Sequence, residues 1–343
     1  MINIIIIGSG WYGCHIAKIL KDKYNITMIE QKNTIFDNSS YYNQNRLHLG
    51  FHYCRNYSTR SLCKYNYDKF KELYSDCIDN IENNYYMISK NSILDYQTYE
   101  NIFTYENFKF NLIDNEIFNN IYDKIILVDE KVINSDNAKK HFMEELKNIN
   151  IIFNTKVLNY EKIDKKIIIN TDKNIKYECD LLLDCTFNQL ELSNKEYSYE
   201  LTISLLYKKI KETSFDALTV MDGKFFSLYP RDINNKIYTL TDVEHTPIIS
   251  SKNYKDIENY NITKNEIIII KNKMEEKIKQ YYNNFLEDFE YKSYFLSKKT
   301  KLISNSDSRD ITIDKIEENV ISVNCGKIYG IFEWEKYITD YLI

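Results

Sequence analysis

Glycine and proline are scarce. Seven Gly and two Pro among 343 residues leave no Pro/Gly-rich linker and no repeat. The two domains this length suggests are therefore expected to be interleaved rather than laid end to end. Arginine is rarer still beside lysine: of 45 basic residues only Arg46, Arg55, Arg60, Arg231 and Arg309 are arginine. A net charge of −5 excludes a broad basic footprint for nucleic acid or an anionic membrane. No apolar run approaches the ~18 residues that span a bilayer. The first residues carry no basic n-region and no small-residue cleavage site. The seven cysteines show no CxxC or zinc spacing, which speaks against a disulfide framework or a zinc site and for reduced thiols in the cytoplasm. HExxH, EF-hand and G-x-S-x-G patterns are absent too, so metalloprotease, calcium-loop and serine-hydrolase chemistry has no support.

A hydrophobic fraction of 43% and a charged fraction of 28% suit a folded chain. In a sequence so poor in glycine, the positions where it persists carry information. Three of the seven fall in Gly8-Ser9-Gly10-Trp11-Tyr12-Gly13. This G-x-G-x-x-G follows an apolar, β-branched run, Ile2 to Ile7, that reads as a buried parallel strand, and it opens a helix reading from Cys14 to Lys21. A second strand, Ile26 to Ile29, ends in Glu30, 22 residues after Gly8. Gly8 permits the tight turn, Gly10 lets a pyrophosphate approach the backbone, and Gly13 lets the helix lie close on the strand. The free N–H groups of the first helical turn face the phosphates. A carboxylate at Glu30 suits a ribose hydroxyl and repels a 2′-phosphate, so NADP is disfavoured. Trp11 and Tyr12, inside the turn, are expected beside the nucleotide as packing or shielding groups.

Residues 33–60 show no clean period. Residues 61–83 carry apolar positions at helical spacing, and 85–120 read as strands and turns. A helix is expected over 134–148, capped by Ser135 or Asp136. Strands and a small β-meander follow to Glu178, then a buried strand at Leu181–Leu183 that ends at Cys185-Thr186. Residues 200–245 are strand-rich, 263–294 read as one long helical region, Ile311–Ile313 and Asn319–Val323 as strands, and 331–342 as a closing helix.

A second dense site is Gln44-Asn45-Arg46-Leu47-His48-Leu49-Gly50-Phe51-His52-Tyr53-Cys54-Arg55. Arginine persists where a flat, bidentate anion fork is needed. Two readings stand side by side. In one, Asn45 and backbone amides touch phosphate or a ring edge, His48 and His52 handle protons, and Arg46 or Arg55 holds an anionic group. In the other, these are loop residues paired with carboxylates and one histidine is simply packed. Arg231, at the end of Tyr229-Pro230-Arg231, is a further candidate over the pocket. His245 is a possible substrate ligand, and His15 and His141 are expected to be structural.

Four stretches, IIIIGSGWYGCHIAKIL with ITMIE, VINSDNAKKHFMEELKN-INIIFNTKVLNYE, CDLLLDCTFNQ and VNCGKIYGIFEWEKYI, together resemble the flavin-dependent oxidoreductases of the D-amino-acid oxidase and glycine oxidase type. The resemblance implies an α/β fold with α+β insertions: a Rossmann-like FAD-binding domain (residues 1–50, 125–190 and 305–343) interleaved with a mostly antiparallel β-sheet substrate domain (51–124 and 191–304). It implies FAD as cofactor, with Gly8, Gly10, Gly13, Glu30, Asn45, Arg46, Val157, Thr186, Gly326 and Lys327 as its neighbours. Val157 would lie by the adenine. The amides of Gly326 and Lys327 would face the negative charge of the reduced flavin. Cys185-Thr186-Phe187-Asn188 departs from the family's usual Ala-x-Gly. The basic, aromatic 43–55 stretch departs from its usual small residues and suggests a bulky anionic substrate such as an acidic sugar.

The expected reaction is hydride transfer from a C–H next to N or O of a small anionic molecule to flavin N5. Arg46, Arg55 or Arg231 would anchor the anion and His48 or His52 would take the proton. The electron acceptor is not legible. Alternatives are a flavin-dependent nucleotide-sugar mutase without net redox, an NAD-dependent dehydrogenase and a non-catalytic dinucleotide-binding module.

Overall fold

The computed structural model describes residues 2–303 and 309–343. The expected boundary at residues 304/305 falls outside them. Asn3–Ile7 is the inner strand of a six-stranded sheet, paired in parallel with Asn25–Ile29 and Leu181–Asp184. Asn150–Ile152 extends one side, and Val320–Asn324 with the antiparallel Thr312–Glu317 the other. Alternation along the isoleucine run places Ile4 and Ile6 in one core and Ile5 and Ile7 in another, so both faces are covered. Helices Trp11–Leu20, Tyr57–Leu73, Ser135–Glu145 and Ile331–Tyr341 cover the first face around Trp11, Phe70, Tyr74 and Trp334. The meander Val157–Ile163, Lys166–Thr171 and Lys176–Cys179 covers the second.

Above this floor lies a nine-stranded, mostly antiparallel roof sheet. Its longest pairing joins Tyr197–Lys209 to Phe289–Leu302. The strand Tyr122–Leu127 joins the roof across the expected boundary at residues 124/125. Helix Tyr57–Leu73 packs into the floor core, although it lies in a segment expected for the substrate domain.

Three local expectations need correction. The helix over 134–148 is capped by Asn134, whose side chain accepts from Asn137 N; Ser135 and Asp136 are its first helical residues. Within 85–120 there is a helix, Tyr96–Tyr105, capped by Asp95. Tyr96, Tyr99 and Phe103 are its buried face at i, i+3, i+7, and the strand preference of aromatics hid that period. The long helical region ends early. Lys264–Tyr281 starts at a capping box of Thr263 and Glu266, a short Phe285–Asp288 turn follows, and Phe289–Leu302 is strand because its partner Tyr197–Lys209 holds it there.

The first helix lies unusually close to the first strand. A Cβ on Gly13 would sit 2.0 Å from the Gly8 carbonyl oxygen, backbone that cannot yield. Gly13→Ala is expected to lower the stability of the apoprotein by at least ~1–3 kcal/mol, the range for overpacking, read as a fall in Tm. An unchanged Tm would contradict the packing.

Candidate active site

Floor and roof enclose a cavity of about 1230 Å³, above the ~300–1,000 Å³ of an ordinary small-molecule site. At its floor end, Gly8 adopts φ +92°, and a Cβ there would meet the Cys185 carbonyl oxygen at 2.8 Å. Glu30 is buried. Its Oε2 accepts from Ser9 N (2.9 Å) and Ser9 Oγ (2.7 Å), and its Oε1 from Lys32 N (2.9 Å). A carboxylate has about four acceptor sites, so one remains for a ligand hydroxyl. Ser40 Oγ accepts from Trp11 N (3.1 Å) at the helix start, and a Cβ on Gly10 would fall 2.7 Å from that same oxygen. Val157 and Thr186 line this end as well. The turn, the acid and the volume fit FAD: Gly8, Gly10, Ser40, Glu30, Val157 and Thr186 would hold its adenosine and phosphates.

The other end is built by the 44–55 loop, the turn at 325–330 and the roof. His48 and His52 stand edge to face with centroids 5.3 Å apart, and Tyr53 lies 5.3 Å from His48. Lys327 Nζ donates to the Tyr53 hydroxyl and sits 4.4 Å from that ring's centroid. Burial and the charges of Lys327 and Arg46 push both histidines well below the ordinary imidazole range. Burial, with Arg46, brings Lys327 down to about 7. Arg55 donates to Asp222 Oδ2 (2.7 Å) at the rim. Lys299 and Arg309 line the wall; burial and the Arg309 charge bring Lys299 down to about 8.

Of the residues expected at the site, Asn45, Arg46, His48, His52 and Arg55 line this cavity, as do Gly326 and Lys327. Trp11 and Tyr12 line it too, in the packing positions expected of them, while Arg231 and Gly13 do not. Arg231 lies outside the lining, stacked on Tyr41 and Phe295 (4.7 and 4.9 Å) and donating to the Asn43 carbonyl (3.0 Å), so it braces the loop. The Trp11 indole is core, packed on Phe36, Phe70, Tyr74 and Phe142, and only its backbone N–H serves the site. Gly13 packs behind the turn. Tyr12 donates to the Lys327 carbonyl (2.6 Å) and so ties the first helix to the 325–330 turn. The Lys327 amide turns to Cys325 Sγ (3.4 Å) instead of the cavity; the side chain is what points to the site.

Arg46 is not a free anion fork. Its guanidinium donates to Tyr86 Oη, Thr219 Oγ1 (2.7 Å) and Ser227 Oγ (2.5 Å), stands 3.5 Å from Glu130 Oε2, and lies 4.0 Å over the Tyr229 ring. Glu130, which sequence reasoning missed, has no solvent exposure. Its Oε1 accepts from Leu49 N (2.8 Å) and Gly50 N (3.3 Å), and its Oε2 from Tyr86 Oη (2.6 Å). Ser40, Tyr53, Lys299 and Arg309 were missed as well. A hydroxyl residue shortly before the basic loop was the one available signal, as a helix start needs such a partner.

Two outcomes follow. Arg46→Ala leaves Glu130 buried without its counter-charge, and a loss of about 3–5 kcal/mol is expected by chemical denaturation; a change under ~0.5 kcal/mol would show the pair is unimportant. His15, His48 and His52 all have lowered values in the fold. Unfolded imidazole takes its proton near 6.5, so their stability contribution is complete above that pH and drains away below it. The Tm of the apoprotein is expected to fall from pH 7 to pH 5; a flat profile would contradict neutral buried histidines.

No protein-family model matches the chain. It is 31% identical to the FAD-dependent monooxygenase FPY4 of Fusarium mangiferae over 333 residues, 95% of this chain and 87% of that one. Among solved structures it is similar to glycine oxidase from Geobacillus kaustophilus (TM-score 0.75, 7% identity, 100% of this chain and 95% of that one). It is similar also to the FAD-bound L-α-glycerophosphate oxidase from Mycoplasma pneumoniae (TM-score 0.76, 12% identity, 99% and 94%). With the glycine turn, its acid and the two-layer cavity in place, the chain shares the fold of glycine oxidase and belongs to the FAD-dependent oxidoreductases, the family of FPY4.

Proposed function

We propose that this FAD-dependent enzyme removes a hydride from a C–H adjacent to N or O of a small, anionic, polar substrate, which loses the neighbouring N–H or O–H proton to form C=N or C=O. The observation that carries the reading is the continuity of one cavity, from the Gly8–Glu30 cradle to the His48, His52 and Lys327 end. Bound FAD supplies the two-electron acceptor. The chain supplies the rest. Neutral His48 and His52 can take the substrate proton. Lys299 and Lys327 have no carboxylate at ion-pair distance among the described residues, and with Arg309 they favour an anionic group. Thr202, Ser204, Ser227 and Thr241 make the roof's inner face hydroxylic, which suits a polar molecule. We propose, too, that 1–50, 125–190 and 305–343 form the nucleotide-binding unit, with 51–124 and 191–304 contributing the substrate side. No described helix is long and apolar enough to cross a membrane; a cytoplasmic setting remains a proposal.

The similarity to FPY4 supports a second reading, in which dioxygen places one oxygen atom in the product and the other leaves as water, the two further electrons coming from a reduced donor such as a nicotinamide. Purified holoprotein is expected to absorb near 450 nm and to bleach anaerobically with one donor from a panel of amino acids, hydroxy acids and acidic sugars. Arg309→Met is expected to raise KM for that donor about tenfold, or about 1.4 kcal/mol, with flavin content retained. Peroxide equal to product supports the oxidase reading; label from ¹⁸O₂ in the product supports the monooxygenase one. No bleaching by any anionic donor would overturn the anionic assignment.

A further inference from the structure

His48 leaves a question open. Its Nδ1 is buried and has no hydrogen-bond partner, while the ring keeps 17% of its surface and lines the cavity. Glu130 Oε1 lies 3.8 Å from it. That oxygen does not drift, because Leu49 N and Gly50 N hold it from the residues that follow His48. The opposite oxygen is held by Tyr86 and faces Arg46. The backbone of His48 is held as well, its carbonyl accepting from Tyr329 Oη (2.5 Å), and His52 and Tyr53 flank the ring. Lys327, Arg46 and a protonated His52 are cations that oppose imidazolium, and Glu130 is the one carboxylate at ion-pair distance among the described residues.

We propose that Glu130 is the positioning residue of His48: its immobilised carboxylate selects the tautomer with the proton on Nδ1, directed inward, and leaves the Nε2 lone pair for the substrate. This rests on the proton-accepting role given to His48 above. A histidine with a buried acceptor behind it keeps one tautomer and one ring orientation, and the same carboxylate steadies the imidazolium formed when Nε2 takes a proton. Catalytic hydrogen bonds often tighten when substrate binds, and closing the 3.8 Å gap needs only a small rotation of the ring toward Glu130. The proton moves from the substrate N–H or O–H to Nε2 and later to solvent.

The test is ¹⁵N NMR of histidine-labelled holoprotein without substrate, so its outcome does not depend on turnover. The His48 signal is assigned by its loss in His48→Asn. The expected result near pH 7.5 is a neutral ring with the proton on Nδ1, against the Nε2–H form that free imidazole side chains prefer. In Glu130→Gln, with flavin content and Tm as fold controls, the His48 titration is expected to move down by about one unit or more, because the opposite charge is gone. An Nε2–H tautomer in the wild type, or an unmoved titration in folded Glu130→Gln, would overturn the proposal. If Glu130→Gln does not fold, the wild-type tautomer decides. Failure of the hydride-transfer reading would appear as absent bleaching with the tautomer intact, so the two failures are distinguishable.

Discussion

A charge removed from water must be answered on all sides, and in this protein that requirement falls on Arg46 and Glu130. The pair stands where floor and roof meet. Glu130 accepts from the Leu49 and Gly50 amides and the Tyr86 hydroxyl; Arg46 donates to Thr219 and Ser227 on two further roof strands and lies over Tyr229. Neither side chain can relax without stranding the other. The loop bearing His48 and His52 is thereby held against the roof, although it contains only the two-residue strand Arg46–Leu47 as regular structure.

The electrostatics of the cavity follow from this enclosure. Burial and neighbouring cations keep the histidines neutral, so they can accept protons. The same burial makes Lys299 and Lys327 reluctant cations, which is what the proposed anionic substrate would offset. At the far end the glycine turn would bring backbone to the FAD phosphates, and the one acceptor site left on Glu30 would suit a ribose hydroxyl. On the proposed reading, one end would bind the cofactor and the other would hold the substrate away from water.

What the sequence revealed was local. The Gly8–Gly13 turn, the acid at Glu30 and the apolar run before them lie within thirty residues, and their spacing carries the geometry. The resemblance extended this to Val157, Thr186, Gly326 and Lys327, all of which line the cavity. What stayed hidden depends on contacts between distant segments. Glu130 is one acid among many until the fold sets it 3.8 Å from His48. Arg46 reads as an anion fork because the sequence does not show the roof hydroxyls that occupy it. Arg231 looked like a pocket cation because its strand end is near the site in sequence pattern, yet its guanidinium stacks on Tyr41 and Phe295. Phe289–Leu302 is strand because of a partner some ninety residues earlier.

The most direct test is an experimental structure of the holoprotein with FAD bound. The account predicts the adenosine ribose on Glu30, the phosphates beside Gly10 and Ser40 at the start of the first helix, and the flavin ring facing His48, His52 and Lys327 beneath the roof hydroxyls. A flavin ring turned away from that histidine pair, or a ribose that does not touch Glu30, would contradict it.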